Sequence, residues 1–356
     1  MPSQPPIPHL LTPYVTPPRS SLSLVTSVLS ATGNWLVLRI LFAALGTGRN
    51  GVTPGIGLQS GDGVGEFGGS RKKVVLLSFL RGWDFWKSEA KRLGLDIGRL
   101  SEQGRFAFID GLSELFHSST PTPAVAPSPF TAQPAAVPSR GTLPVRSAPG
   151  ALRTPAQPAQ PAPAVGKAPS GSEPVKRLHL SGRGQAALDT LEKDIVAVIN
   201  GLRGKKGPGN DDESEILLVI DQPDLLLAAT GLSHGISATD MGEWIMGLQQ
   251  HVYSTVVTLA ADSPLIHNAS AFAQQQQATP LETEHAAFVV GLAHRASMVM
   301  QLRNLDTGAA KDVSGVLRIS KGGGPDQETG EGAWEEKEVL YFVQRDGGVR
   351  VFGRGE

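Results

Sequence analysis

Two runs of uninterrupted aliphatic residues, Val74-Val-Leu-Leu77 and Ile216-Leu-Leu-Val-Ile220, constrain this chain more than any other feature. A strand with one wet face alternates apolar and polar residues, whereas a strand that is apolar throughout is covered on both faces. Such strands belong to a sheet held between two layers of helix. The neighbouring pattern agrees. Strands are predicted at residues 22–29, 73–80, 105–110, 216–220, 254–260, 298–302 and 316–320. Between them, Leu188, Leu191, Ile195, Val198, Ile199 and Leu202 recur at helical spacing, as do Met241, Trp244, Ile245 and Leu248. Ser237 with Asp240 forms one capping-box signal, and Thr279-Pro-Leu-Glu282 forms another with proline at the first helical position. Residues 339–345 and 349–352 flank Asp346-Gly-Gly348 as a hairpin. The fold class expected is α/β, a mixed and mainly parallel sheet with helices on both faces and a C-terminal antiparallel hairpin.

The elements fall in two blocks, and the first has too few to stand alone. The expectation is therefore one domain over residues 21–356, preceded by a flexible segment, 1–20, and interrupted twice. A glycine-rich insert covers 46–70. A second insert, 117–176, is built from Pro, Ala, Ser, Gln and Thr and holds 14 of the 27 prolines. It has too little apolar surface to offset its chain entropy and is expected to be disordered. A net charge of −1 gives no global attraction to nucleic acid or anionic lipid. The absence of cysteine excludes disulfides, thiolate metal sites and cysteine nucleophiles. No secretory leader is visible in the first 20 residues, and the longest apolar run, Trp35 to Leu45, is too short to span a bilayer.

Four features bear on chemistry. The stretch Val25-Thr-Ser-Val-Leu-Ser-Ala-Thr-Gly-Asn-Trp35 reads as a strand, a small-residue turn and a helix start, the place where a phosphate loop would lie. Aligned on G-x-x-x-x-G-K-[ST], its defining positions are Val28, Gly33, Asn34 and Trp35. Asn34 supplies no charge for the β- and γ-phosphates, and Trp35 supplies no hydroxyl for Mg²⁺. Thr32 and Ser30 keep hydroxyls near a helix start, so weak anion binding survives as an option beside a plain turn capped by Thr32 or Asn34. Asp221, ending the second aliphatic run, resembles the metal-side carboxylate of nucleotide hydrolases, yet Gln222-Pro223 brings no second carboxylate. Gly231-Leu-Ser233-His-Gly235 matches the hydrolase elbow G-x-S-x-G, but a short helix over 224–230 precedes it where a strand is required. The eight histidines show no metal spacing, and no metal or cofactor is expected. Basic clusters at Arg71-Lys-Lys73 and Arg203-Gly-Lys-Lys206 read as solvated loop charge or as contacts to a phosphate backbone.

The stretch VVLLSFLRGWDFWKSEAKRLGLDI, Val74 to Ile97, with GRFAFIDGLSELF, Gly104 to Phe116, resembles the fungal family of Elongator subunit 6. The segments SLSLVTSVLSATGNWLVLRILFAAL, ILLVIDQPDLLLAATG and ATDMGEWIMGLQQHVYSTVVTLAAD fit the same family, and only the inserts lie outside the resemblance. The resemblance implies a RecA-like fold without standard nucleotide motifs. It also implies a heterohexameric accessory ring with Elongator subunits 4 and 5, cytoplasmic and nuclear. That ring serves the Elongator core in modifying the wobble uridine of tRNA, binds tRNA and has a nucleotide-dependent activity. The radical chemistry and acetyl transfer belong to another subunit, so no catalytic residue carries over. In RecA-like rings, the segments after the metal-side strand and after the next strand face the pore, here Gln222 to Ile236 and Asp262 to Thr279. The second offers His267, Asn268, Gln274, Gln275, Gln276 and Gln277 as amide and imidazole contacts to RNA. The different-class alternative is a nucleoside triphosphatase with a non-standard phosphate loop. The helix at 35–45, apolar almost all round, is buried either within its own domain or against a neighbouring subunit.

Overall fold

The two aliphatic runs lie side by side in the middle of one sheet. The structure, a computed structural model, describes residues 7–46, 72–117, 175–204, 215–266, 278–305, 310–324 and 334–353. Its first half contains β1 (Leu22–Ser27), α1 (Asn34–Leu45), β2 (Lys73–Ser78), α2 (Trp83–Arg92), α3 (Ile97–Glu102), β3 (Phe106–Asp110) and β4 (Val175–Arg177). Then follow α4 (Gly184–Gly204), β5 (Ile216–Asp221), α5 (Asp224–Thr230), α6 (Ala238–Gln249), β6 (Ser254–Ala260) and α7 (Ser263–Ile266). The chain continues with α8 (Pro280–Arg295), β7 (Met298–Arg303), β8 (Gly315–Lys321), β9 (Lys337–Val343) and β10 (Val349–Phe352). Among the described residues the strand order is β10-β9-β8-β7-β1-β6-β5-β2-β3-β4. The seven strands from β7 to β4 are mutually parallel, and β8, β9 and β10 add antiparallel pairs at the other edge. This is the mixed, mainly parallel α/β sheet that the aliphatic runs predict.

Strand periodicity divides each run between two cores. Val74, Leu76, Leu217 and Val219 pack with α1, α2 and α3 on one face. Val75, Leu77, Leu218 and Ile220 pack with α4, α5, α6 and α8 on the other. Every residue of β2 and β5 is buried. The question left open for α1 is answered inside the chain: Trp35 through Leu41 are all buried, and the core they join also contains Leu11, Tyr14 and Val15.

Those three residues correct the expectation of a flexible segment over 1–20. Residues 9–11 form a 3-10 turn, Leu11, Tyr14 and Val15 are buried, and the Tyr14 hydroxyl donates to the Glu335 carbonyl at 2.9 Å. Proline density marks the absence of regular hydrogen bonding, but apolar residues spaced between prolines still have a core to join. The carboxyl boundary of the second insert also moves. Val175 and Lys176, expected within it, form edge strand β4 together with Arg177, with Val175 opposite Phe108 and Arg177 opposite Asp110. The remainder of both inserts lies outside the described residues, apart from Gly46 and His117.

Both predicted capping boxes form. Ser237 Oγ accepts from the Asp240 amide at 3.2 Å, and Thr279 Oγ1 accepts from the Glu282 amide at 3.2 Å while Glu282 closes the box onto the Thr279 amide at 2.7 Å. Thr279→Ala should lower stability by about 1 kcal/mol, the usual worth of such a cap, read from the urea midpoint. An unchanged midpoint would show that the start of α8 is fixed by packing instead.

Candidate functional site at the carboxyl end of the sheet

In open α/β sheets ligands sit at the carboxyl ends of the strands, where neighbouring connections leave for opposite faces. This sheet has two such crevices. The chain leaves β2 for the α2 face and β5 for the α5 face, and it leaves β1 for the α1 face and β6 for the α8 face. Both crevices are bridged by the chain's own hydrogen bonds.

The first is filled by Asp221. Its carboxylate is 1% exposed and accepts from Ser78 Oγ on β2 at 2.8 Å and from Thr258 Oγ1 on β6 at 2.9 Å. Arg81 Nη1 lies 3.6 Å away. Burial pushes the Asp221 carboxyl above the usual carboxylate range, against the pull of Arg81, Ser78 and Thr258. Both oxygens are thus engaged in tying three adjacent strands together. Sequence reasoning found Asp221 but not its partners, although each of them is a polar residue at or near the end of an apolar strand. The next residue, Gln222, is held at φ 58, and its amide donates to the Thr258 carbonyl and to Thr258 Oγ1, both at 3.1 Å. A left-handed conformation at a non-glycine residue costs about 1–3 kcal/mol and is found where surrounding contacts enforce it.

Two residues further on, Asp224 is buried. Oδ2 accepts weakly from the Ala260 amide at 3.3 Å, and Oδ1 has no hydrogen-bond partner among the described residues. Burial pushes this carboxyl up to about 7; the Ala260 amide opposes the rise and the nearby Asp221 adds to it. His285, on α8, bonds the Ala260 carbonyl through Nε2 at 2.9 Å. Burial lowers its pKa, against that bond and against Asp262.

The second crevice holds the degenerate turn. Val28 and Ala31 pair in a one-bridge hairpin, closed by the Ala31 amide donating to the Val28 carbonyl at 2.9 Å. Leu29, 86% exposed, stands at its tip, and its amide donates to Asp262 Oδ1 at 3.0 Å. A backbone N–H that a phosphate loop would turn toward an anion is therefore taken by the chain's own carboxylate, whose charge also repels phosphate. Neither Thr32 nor Asn34 caps α1. The cap is Gly33, without a side-chain bond, while Thr32 Oγ1 donates to Asn34 Oδ1 at 2.8 Å. The turn is close-packed here: a Cβ at Gly33 would meet Leu302 Cδ1 at 3.3 Å and Val25 Cγ1 at 3.4 Å, so a larger residue would have to push these side chains aside by a few tenths of an ångström. Trp35 points inward, its ring centroid 4.9 Å from that of Tyr341.

The other sequence candidates separate. His267, Asn268, Gln274, Gln275, Gln276 and Gln277 lie outside the described residues. Gln222 to Ile236, the other expected pore segment, folds as α5 followed by a π-helical turn over Gly231–Gly235. Ser233 and His234 bond at 2.7 Å, but the turn continues a helix, so no strand-borne elbow exists there. The basic clusters lie at the amino end of the sheet. Lys72 pairs with Glu215 at 3.6 Å and sits over the Tyr253 ring, Lys73 Nζ donates to the Leu202 carbonyl at 2.8 Å, and Arg203 Nη2 donates to the His251 carbonyl at 2.6 Å. Arg71, Lys205 and Lys206 lie outside the described residues. Among the described residues no group of three metal-ligating side chains occurs, and no helix is long and apolar enough to cross a membrane. No protein-family model matches the chain, and no curated protein matches it.

Proposed function

We propose that this chain is a non-catalytic, RecA-like subunit of the Elongator accessory ring. It assembles with Elongator subunits 4 and 5, engages the Elongator core, and supports tRNA binding for wobble-uridine modification in cytoplasm and nucleus. The resemblance carried by Ser78-Phe-Leu-Arg81, Trp83, Phe85-Trp86 and Arg92-Leu-Gly-Leu-Asp96 motivates the reading. The observation that carries it is the state of the turn. The two positions that would hold Lys and Ser or Thr are Asn34 and a buried Trp35, and the Leu29 amide is spent on Asp262. With Asp221 saturated by Ser78 and Thr258, phosphoryl transfer lacks both its cation and its free metal-side carboxylate. What the chain offers instead is a sheet scaffold whose carboxyl end carries exposed Leu29, Leu80, Leu112 and Phe116, apolar surface suited to a neighbouring subunit.

The test measures ATP hydrolysis and tRNA binding side by side, for the chain alone and for it co-purified with subunits 4 and 5. The expected result is no hydrolysis by the chain alone and saturable tRNA binding by the assembly. ATP turnover by the isolated chain, lost in Asp221→Asn, would replace this reading with that of a triphosphatase with an unorthodox loop. Failure to assemble with subunits 4 and 5 would remove the ring.

A further inference from the structure

Arg39, in the second turn of α1, is 3% exposed, and among the described residues no carboxylate pairs with it. Its Nη2 donates to the Gly347 carbonyl at 2.9 Å, and its Nε–H has no acceptor. Burying a guanidinium without a counter-charge costs several kcal/mol, and one carbonyl returns only part of it. Burial alone lowers its pKa, to about 10, so the group is still a cation at physiological pH. A buried cation without an anion calls for an anion from elsewhere.

The surroundings provide a place for one. Arg39 lines a cavity of about 280 Å³ between α1, α2, strand β9 and the turn that follows it. Ser30, Thr32 and Asn34 form its wall at the amino end of α1, a helix of 12 residues whose cap makes no side-chain bond. The start of α1, the positive end of its dipole, and a buried guanidinium therefore line one small space. Trp35 and Tyr341 add ring surface, and Ser314 adds a hydroxyl. Glu89 also lines the cavity, with its carboxylate engaged by Arg92 at 3.0 Å. The cavity shares Ser30, Ala31, Thr32, Asn34 and Trp35 with the turn of the second crevice, but Asp221, Ser78 and Asp262 are not among its lining residues, so it opens on the side of the turn away from the bridging carboxylates.

We propose that this cavity binds a small ligand bearing an oxyanion, a carboxylate or a phosphate ester, whose charged end pairs with Arg39 beside the start of α1. The rings of Trp35 and Tyr341 receive an apolar body attached to that end. The inference is independent of the ring assignment, since it rests on a cation and a cavity within this chain.

The test uses the full chain, with thermal melts and titration calorimetry against inorganic phosphate and against benzoate, at constant ionic strength set with chloride. One or both anions should raise the melting temperature saturably, and the comparison of the two tells a phosphate site from a carboxylate site. Arg39→Met should weaken the response at least tenfold. In chloride alone it should melt higher than the unsubstituted chain, because it deletes an uncompensated buried charge. Thr32→Trp, at an exposed position on the rim, should weaken the response equally without touching Arg39, and it keeps the test valid if Arg39→Met fails to fold. The proposal is overturned if neither anion acts beyond chloride, or if Thr32→Trp responds like the unsubstituted chain. A lower melting temperature for Arg39→Met with its anion response intact also overturns it.

Discussion

Asp221→Ala should lower stability by about 3–5 kcal/mol, the range for removing one member of a buried charge pair. The substitution leaves the Ser78 and Thr258 hydroxyls without the acceptor each now has and strips Arg81 of its partner. Three strands lose their shared tie at once, because Ser78 is on β2 and Thr258 on β6. Asp221→Asn should cost far less, about 1 kcal/mol. Its amide keeps the shape and one oxygen, and the neutral side chain avoids the burial penalty that raises the Asp221 pKa. Urea denaturation of both variants checks this. If alanine were tolerated as well as asparagine, the carboxylate would not be the tie described above. A metal-side carboxylate behaves otherwise: alanine and asparagine would abolish turnover alike while leaving the midpoint nearly unchanged.

Asp224→Asn should instead stabilise the protein at alkaline pH. Burial pushes the Asp224 carboxyl up to about 7, from the ordinary 3.8 of a solvated aspartate. Between those values the native state holds a proton that the unfolded chain has released, so the contribution of Asp224 to stability falls as pH rises from about 4 to about 7. Below that window the contribution is complete, and above it the loss is constant. A displacement of about three units corresponds to about 4 kcal/mol as an upper figure. The gain of Asp224→Asn over the unsubstituted chain should therefore grow across this window and level off beyond it. Denaturant midpoints at pH 5, 6, 7 and 8 measure the difference, which also cancels the titration of all other groups. A difference that is flat in pH would show that Asp224 is already well solvated or paired when charged.

Both variants concern one small region, and it is the region least legible in the sequence. The apolar strands β2 and β5, the stripe of α4, the two capping boxes and the terminal hairpin all follow local rules: period two, period 3.6, an oxygen before a helix, a glycine pair in a turn. Those rules are satisfied within a dozen residues, so a linear reading finds them. Short pieces escaped it. The helix α3, capped by Asp96 accepting from the Arg99 amide at 3.0 Å, is too brief for a periodic signal, and β4 hides behind a proline-rich stretch. The turn at Val28 to Trp35 is located by its spacing, yet its cap is not, because the space at Gly33 is limited by Leu302 on β7, far away in the chain, as well as by Val25.

What the sequence determined by itself was the layered α/β sheet and that Asn34, not a lysine, stands where a phosphate loop would need its cation, since composition at a position is decided before folding begins. Only the tertiary structure decided what each polar residue is for. Asp221 became a tie because Ser78 and Thr258 arrive at its register from 143 and 37 residues away. Asp262 became the anion at the turn because β6 runs beside β1. Arg39 became a buried cation because α1 is covered on all sides. In each case the energy of a charge is set by its dielectric surroundings and its partners, and these belong to the fold and not to the neighbouring letters.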